Sequence, residues 1–494
     1  MLKIVDPNWN KSVISITILL SILLSVFVLV DPEFSSQILS QTYGILSVMF
    51  EDLYMYGSFL LLIFLITLAL SKYGTVKLKL QNKPTYSMIS WSSMLFAAGI
   101  GATLLYWSTI EWIEYYNILK NDNNLTSEQI LLYSRSYPIF HWGLTAWAIY
   151  CLPVVAFGLA LTLKPDSNLT FSGILGIQNS IVRFILDVIF IGAIICGAGV
   201  GLGLSFPLIS SVLSKILMIE RTFSLDIFTI LVCSSIFATS AYIGVQNGIK
   251  RLSNLNMALV IIFLIIVLLL GPTSYIFKNS IETLSFLASN YLQMSLATGT
   301  EISIDWSVFY WAWWYALAPM VGTFLVNISN NKTLREIIFG SILIGTLGCI
   351  LSMTILGNLS INLFETGAIN APNILENNIY SREELVVNSI LSLDYGNILL
   401  IFFAFIIIIF LCTTYDSASY VLASASMKSS TITGSKSLRL IFAFLLVVQP
   451  TLLMYLNGVD SFKWIMVIFS VPLLFINCLL IYSILKNVYR IKKS

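Results

Sequence analysis

Charge is scarce in this sequence: Asp, Glu, Lys and Arg together supply only 10% of its 494 residues, against 57% for hydrophobic types. Ordinary soluble domains carry about a quarter charged residues, so that class is excluded. Histidine is scarcer still, with His141 standing alone. The six cysteines (Cys151, Cys196, Cys233, Cys349, Cys412 and Cys478) fall inside apolar runs without the spacing of metal ligands, and are expected to pack. A lone His with no Cys or carboxylate cluster argues against a metal site and against a nucleophile–base pair, so neither an enzyme nor a bound cofactor is expected. A small-residue cleavage site is also missing before Asp31 and Glu33, and the first apolar run therefore reads as a retained helix. The short polar ends are expected to hold no regulatory domain, which disfavours a membrane sensor. The net charge of +2 says little about partners; the expected ones are a small-molecule substrate and the lipid bilayer, with no nucleic acid.

What the chain has in abundance is apolar runs near the twenty residues that cross a bilayer. They cover roughly 13–30, 52–71, 89–116, 139–163, 184–213, 225–243, 253–271, 305–328, 335–360, 395–425, 438–456 and 462–485. The pattern predicts an all-α polytopic membrane protein with 12 transmembrane helices. With the N-terminus inside, 19 of the 26 basic residues fall on one side, so both termini are expected to be cytoplasmic in a multi-pass protein of the inner (plasma) membrane. Residues 277–293 carry Lys278, Glu282 and Gln293, too polar to cross, and read as an amphipathic helix at the outer interface. The basic tail, with Lys486, Arg490, Lys492 and Lys493, is placed to touch anionic lipid.

The densest chemistry lies in residues 305–314, DWSVFYWAWW. Helical periodicity puts Trp306 and Trp313 within about 20° of each other and Trp311 and Trp314 on a second stripe. Such a cluster is either a set of interface anchors or an aromatic enclosure for a desolvated cation. Residues 94–112 place Gly99 and Gly101 in an apolar helix, where they mean close packing or an unwound segment facing a site; Glu111 follows near the end of that run. Residues 140–150, FHWGLTAWAIY, add Trp142, Trp147 and Tyr150 beside His141, for which a hydrogen-bonded structural role is favoured over proton carriage. The glycines of 192–203 have no strand or βαβ unit around them and read as helix contacts, not as a nucleotide motif. A helix break is expected at Asn247-Gly248. Near residue 416, Asp416 stands among Thr413, Thr414, Ser417 and Ser419, with either a structural partner or a cation to hold.

Five segments, residues 97–111, 141–150, 248–257, 305–337 and 413–420, resemble in order and spacing the betaine/carnitine/choline transporter family, and the likeness extends from about residue 10 to 490. The resemblance implies a leucine-transporter-type fold, two leading helices plus a 5+5 inverted repeat. In domain terms this means an N-terminal end with helices 1–2 (1–85), a first repeat (86–272), a periplasmic interfacial helix (273–300), a second repeat (301–486) and a basic tail (487–494). It also implies a homotrimer, and alternating access as the mechanism. By matching motif the aromatic box is Trp142, Trp147, Tyr150, Trp311, Trp313 and Trp314, with Gly99, Gly101 and Thr103 in an unwound segment that meets the substrate. Trp306 is left as an outer-interface or packing residue.

Departures from the family pattern shape the expected substrate. Leu317 stands where many members have another aromatic, which opens one wall of the box. Choline carriers tend to place an aspartate where this chain has Thr103. A desolvated choline cation gains from an acidic partner, whereas a betaine brings its own carboxylate and is repelled by one. The expected cargo is therefore a quaternary-ammonium zwitterion such as glycine betaine, with carnitine, choline or a sulfonium analogue as alternatives. The family's sodium site corresponds here to Ala97, Ile100, Phe410, Thr413 and Thr414, and both hydroxyls are present. A second family sodium site lacks its Ser and Thr between Gly192 and Gly203, and Met257 occupies the position of the arginine that replaces sodium in carnitine exchangers. Sodium-coupled import is expected, with sodium-independent exchange as the alternative.

Overall fold

The structure, a computed structural model, describes residues 8–81, 83–99, 101–243, 246–428 and 435–493. In the first half, the helices are α1 (Lys11–Val30), α2 (Pro32–Leu70), α3 (Met88–Gly99), α4 (Thr103–Leu119), α5 (Ser127–Trp142), α6 (Leu144–Leu163), α7 (Phe171–Leu175), α8 (Ser180–Leu217), α9 (Phe223–Ile243) and α10 (Gln246–Leu270). There follow α11 (Thr273–Leu296), α12 (Val308–Ile328), α13 (Leu334–Phe339), α14 (Gly345–Glu365), α15 (Ala371–Glu376), α16 (Arg382–Leu391), α17 (Gly396–Ala425), α18 (Lys436–Asn457) and α19 (Val459–Lys493). Among the described residues the only extended pairings are two isolated bridges, Trp9 with Met427 and Lys77 with Thr333.

Eight helical stretches among the described residues are long and apolar enough to cross a membrane. Every expected run is helical where described; among the described residues, those at 89–116, 225–243, 305–328 and 438–456 are not among the eight. The first of them is split between α3 and α4. Helix boundaries follow capping chemistry more than hydropathy. α2 starts about twenty residues before the expected 52 because Asp31 accepts the Phe34 N–H at 3.0 Å, with Pro32 in the first turn. α5 begins at a capping box between Thr126 and Gln129, upstream of the expected 139. Asn247 and Gly248, where a break is expected, lie in the first turn of α10; α9 ends at Ile243 and α10 starts at Gln246, with 244–245 outside the described residues. The polar amphipathic stretch expected at 277–293 is helix α11.

α12 is the central element, packed on α2, α3, α6, α8, α17 and α19. Its aromatics are almost wholly buried, which is possible because small residues line its contacts: a Cβ on its own Gly322 would stand 2.6 Å from Pro153 of α6, and one on Gly197 of α8 3.1 Å from the α12 backbone. Within the glycine stripe of α8, Gly197 and Gly203 therefore serve close helix contact, whereas Gly192 meets nothing within 4 Å. At one end of the bundle α16 is tied down by ion pairs, Arg382 to Glu114 at 2.7 Å and Arg221 to Glu383 at 3.2 Å. Burial works against the charge of both arginines, but the facing carboxylates outweigh it and leave each guanidinium more firmly protonated than usual.

Candidate substrate and ion site

The break between α3 and α4 is set by Gly101, whose φ of +61° lies in the left-handed region that a side chain disfavours. Gly99 is the last residue of α3 and Thr103 the first of α4. A Cβ on Gly101 would sit 3.1 Å from Thr414 Oγ1, so α17 delivers a hydroxyl directly to the unwound turn. That hydroxyl is buried and has no hydrogen-bond partner among the described residues. Thr413 differs, since its Oγ1 donates to Ile409 O at 3.2 Å and Phe410 O at 2.9 Å of its own helix. Ala97 and Phe410 are buried nearby, and Ile100 lies outside the described residues. An orphaned hydroxyl beside bared backbone fits a small hard cation, which takes neutral oxygen ligands.

Aromatic side chains of α5, α6 and α12 cluster behind the break. Trp142 meets Trp314 edge to face at 5.0 Å and Trp313 at 5.9 Å between ring centres. Tyr150 packs on Trp314 at 4.9 Å, while Trp313 and Trp314 lie 26° from parallel. The indole N–H of Trp313 donates to Gly197 O and that of Trp314 to His141 O, each at 3.0 Å, which fixes both rings. Trp147 stands one layer back, 5.7 Å from Tyr150 and stacked on Phe96 of α3. Trp311 points elsewhere, packing edge-on against Phe140 and directing its N–H to Met55 Sδ of α2 at 3.3 Å.

A cavity of about 40 Å³ opens against the break, with Gly101, Thr103, Trp313, Leu317, Thr414 and Tyr415 in its wall. It unites the glycine segment, one box tryptophan and the α17 hydroxyl, and leaves Trp142, Trp147, Tyr150 and Trp314 buried behind. Trp311 is not part of it. Among the described residues, no side chain in the wall is charged. The volume holds a few waters and falls well short of the roughly 300 Å³ at which small-molecule pockets begin, so ring separation is needed to admit a ligand.

Beneath the cluster lies a polar network. Glu111, fully buried on α4, accepts from the Trp142 indole at 2.8 Å and from Tyr115 OH at 2.6 Å. Tyr115 OH also lies 2.7 Å from His141 Nδ1, and His141 Nε2 lies 2.8 Å from Ser307 Oγ. With the tyrosine proton given to the carboxylate, His141 Nδ1–H donates to Tyr115, and in the neutral imidazole Nε2 then accepts from Ser307. Glu111 thus orients one wall of the aromatic cluster.

Comparison with known proteins decides the family. The model of the betaine/carnitine/choline family transporters matches residues 12–493. The chain belongs to that family. It is a transporter and not an enzyme, and a multi-pass membrane protein. A carnitine transporter of Acinetobacter baumannii is 30% identical over 442 residues, covering 87% of this chain and 80% of that one. The glycine betaine transporter OpuD of Bacillus subtilis is 27% identical over 442 residues, 87% and 85% of the two chains. A high-affinity choline transport protein of Escherichia coli is 30% identical over 361 residues, 69% of this chain and 51% of the other. For this family member, sequence reasoning treated Glu111 and His141 separately and did not see that they share Tyr115. The available signal was the four-residue spacing of Glu111 and Tyr115, which puts both on one helix face.

Proposed function

We propose that this transporter imports a quaternary-ammonium zwitterion of the betaine type, coupled to sodium. The observation that carries the reading is the cavity wall, which joins an aromatic face to unwound backbone without any charged side chain. A zwitterion is neutral overall and needs no counter-charge, whereas an unpaired choline cation left in such a wall is uncompensated. The trimethylammonium group stacks on Trp313 and, once the rings part, on Trp142, Trp314 and Tyr150; each such contact contributes about 1–2 kcal/mol in a dry site. Backbone amides at Gly101 to Thr103 receive the carboxylate. Sodium takes the Thr414 hydroxyl and the carbonyls that the break bares at the end of α3, and so holds α3 and α17 together while the substrate is bound.

The twelve-helix, inverted-repeat architecture belongs to the same proposal, with repeats at 86–272 and 301–486, the α11 helix at the outer interface, cytoplasmic termini in the inner membrane and a trimeric assembly. Its support is the exchange of packing partners. α4 packs on α14 as α12 packs on α6, α10 packs on α3 as α19 packs on α12, and α8 and α17 pack on each other. Such exchange is what two copies of one unit produce when they face each other across a two-fold axis. The test is uptake of labelled glycine betaine, carnitine and choline into liposomes holding the purified protein, with and without a sodium gradient. Betaine uptake driven by the gradient is expected; equal uptake without sodium removes the coupling, and choline as sole cargo removes the substrate class.

A further inference from the structure

A second cavity, about 470 Å³, lies far from the break, between the segment after α6, the start of α8 and the last turns of α19. Its rim carries five basic side chains, Lys164, Arg183, Lys428, Lys486 and Arg490, against one acidic, Asp166. Four separate stretches of chain contribute these charges, so the concentration is built by the fold and not by a run in the sequence. Among the described residues, Lys164, Arg183, Lys486 and Arg490 reach no carboxylate within salt-bridge distance. Like charges gathered around a concavity repel one another and focus a positive potential into it, a field that an anion relieves. Ser483 and Asn487, both buried, supply a polar floor, with Asn487 donating to Ser483 Oγ at 3.2 Å.

The flanks narrow the choice of anion. Beside Arg183, the first turns of α8 expose Ile181 and Val182; beside Lys486, α19 exposes Tyr482 and Leu485. In a protein that spans a membrane, such side chains meet acyl chains. A basic concavity edged by apolar helix faces therefore sits at a boundary between headgroups and hydrocarbon. We propose that this cavity binds a phosphate-bearing anion, and that the source its flanks favour is the headgroup of an anionic phospholipid whose acyl chains run along α8 and α19.

The experiment uses the full chain in detergent. Native mass spectrometry counts retained phosphatidylglycerol and phosphatidylcholine, and a parallel arm measures the melting-temperature shift given by inorganic phosphate. The parent is expected to retain phosphatidylglycerol over phosphatidylcholine by roughly tenfold or more, and Arg183→Gln/Lys486→Gln/Arg490→Gln to lose that preference. These side chains are exposed, so an unchanged elution volume checks the fold. The single variant Lys486→Gln, with a smaller loss, serves if the triple variant does not fold. A phosphate shift that the triple variant abolishes, without phosphatidylglycerol preference, keeps the site and assigns it to free phosphate. Retention and phosphate response unchanged in the triple variant overturn the proposal. So does an equal loss in Lys215→Gln/Lys278→Gln, which removes exposed basic charge at two positions that do not line the cavity.

Discussion

Neighbouring tryptophans in residues 305–314 carry different work, and the difference is set by which helix each one meets. Trp306 is buried against Trp107 and Tyr115, with the ammonium of Lys463 4.3 Å over its ring, so its cation is already supplied by the protein. Trp313 fronts the cavity instead. Trp313→Ala is therefore expected to raise KM about tenfold in the protein that folds, beyond the stability loss that removing any buried indole brings. Trp306→Ala is expected to lower stability by about 3–5 kcal/mol, seen as a lower melting temperature and yield, with KM of the surviving protein little changed. Equal KM effects would show that the cavity face has been assigned to the wrong residue. Glu111 gives a second residue-level test. Removing it orphans the Trp142 and Tyr115 donors at about 1–3 kcal/mol each, whereas glutamine keeps one acceptor. Melting temperatures should fall in the order parent, Glu111→Gln, Glu111→Ala.

Helix α8 shows how an element is tuned by single atoms. A Cβ on Gly203 would stand 1.9 Å from Phe462 Cζ of α19, while one on Gly192 meets nothing within 4 Å. Gly203→Ala should cost about 1–3 kcal/mol through overpacking, and Gly192→Ala should stabilise by up to about 1 kcal/mol through helix propensity. Thermal unfolding in detergent separates them; equal melting temperatures would mean that α8 and α19 are less closely apposed. Apolar periodicity made the helices legible, and the glycine motif marked the α3–α4 break. The start of α2 was not legible, because Glu51 interrupts the apolar run. Its carboxylate is buried and accepts from Gly299 N–H at 2.7 Å, a partner 248 residues away that no local pattern announces. The Glu111, Tyr115 and His141 network escaped for the same reason, since it joins two helices whose meeting is a tertiary fact.

Across the whole molecule, the two cavities divide by charge. The central one is neutral, small and bounded by Trp313 and the Gly101 turn, and the peripheral one is basic, wide and open at a helix end. Resemblance located Thr103 and Trp313 in sequence, and the fold brings them to one wall; Trp147 and Trp311, equally plausible by motif, face other neighbours because α2 and α3 claim their rings. The central claim is that an uncharged wall selects a zwitterion, and Thr103 is where that neutrality is most easily changed. Equilibrium titration of glycine betaine and of choline into the parent and into Thr103→Asp tests it most directly. The parent is expected to bind betaine more tightly than choline, and Thr103→Asp to reverse the order by at least roughly tenfold, the effect of one desolvated ion pair. Choline bound as tightly as betaine by the parent, or an order that Thr103→Asp leaves unchanged, would contradict it.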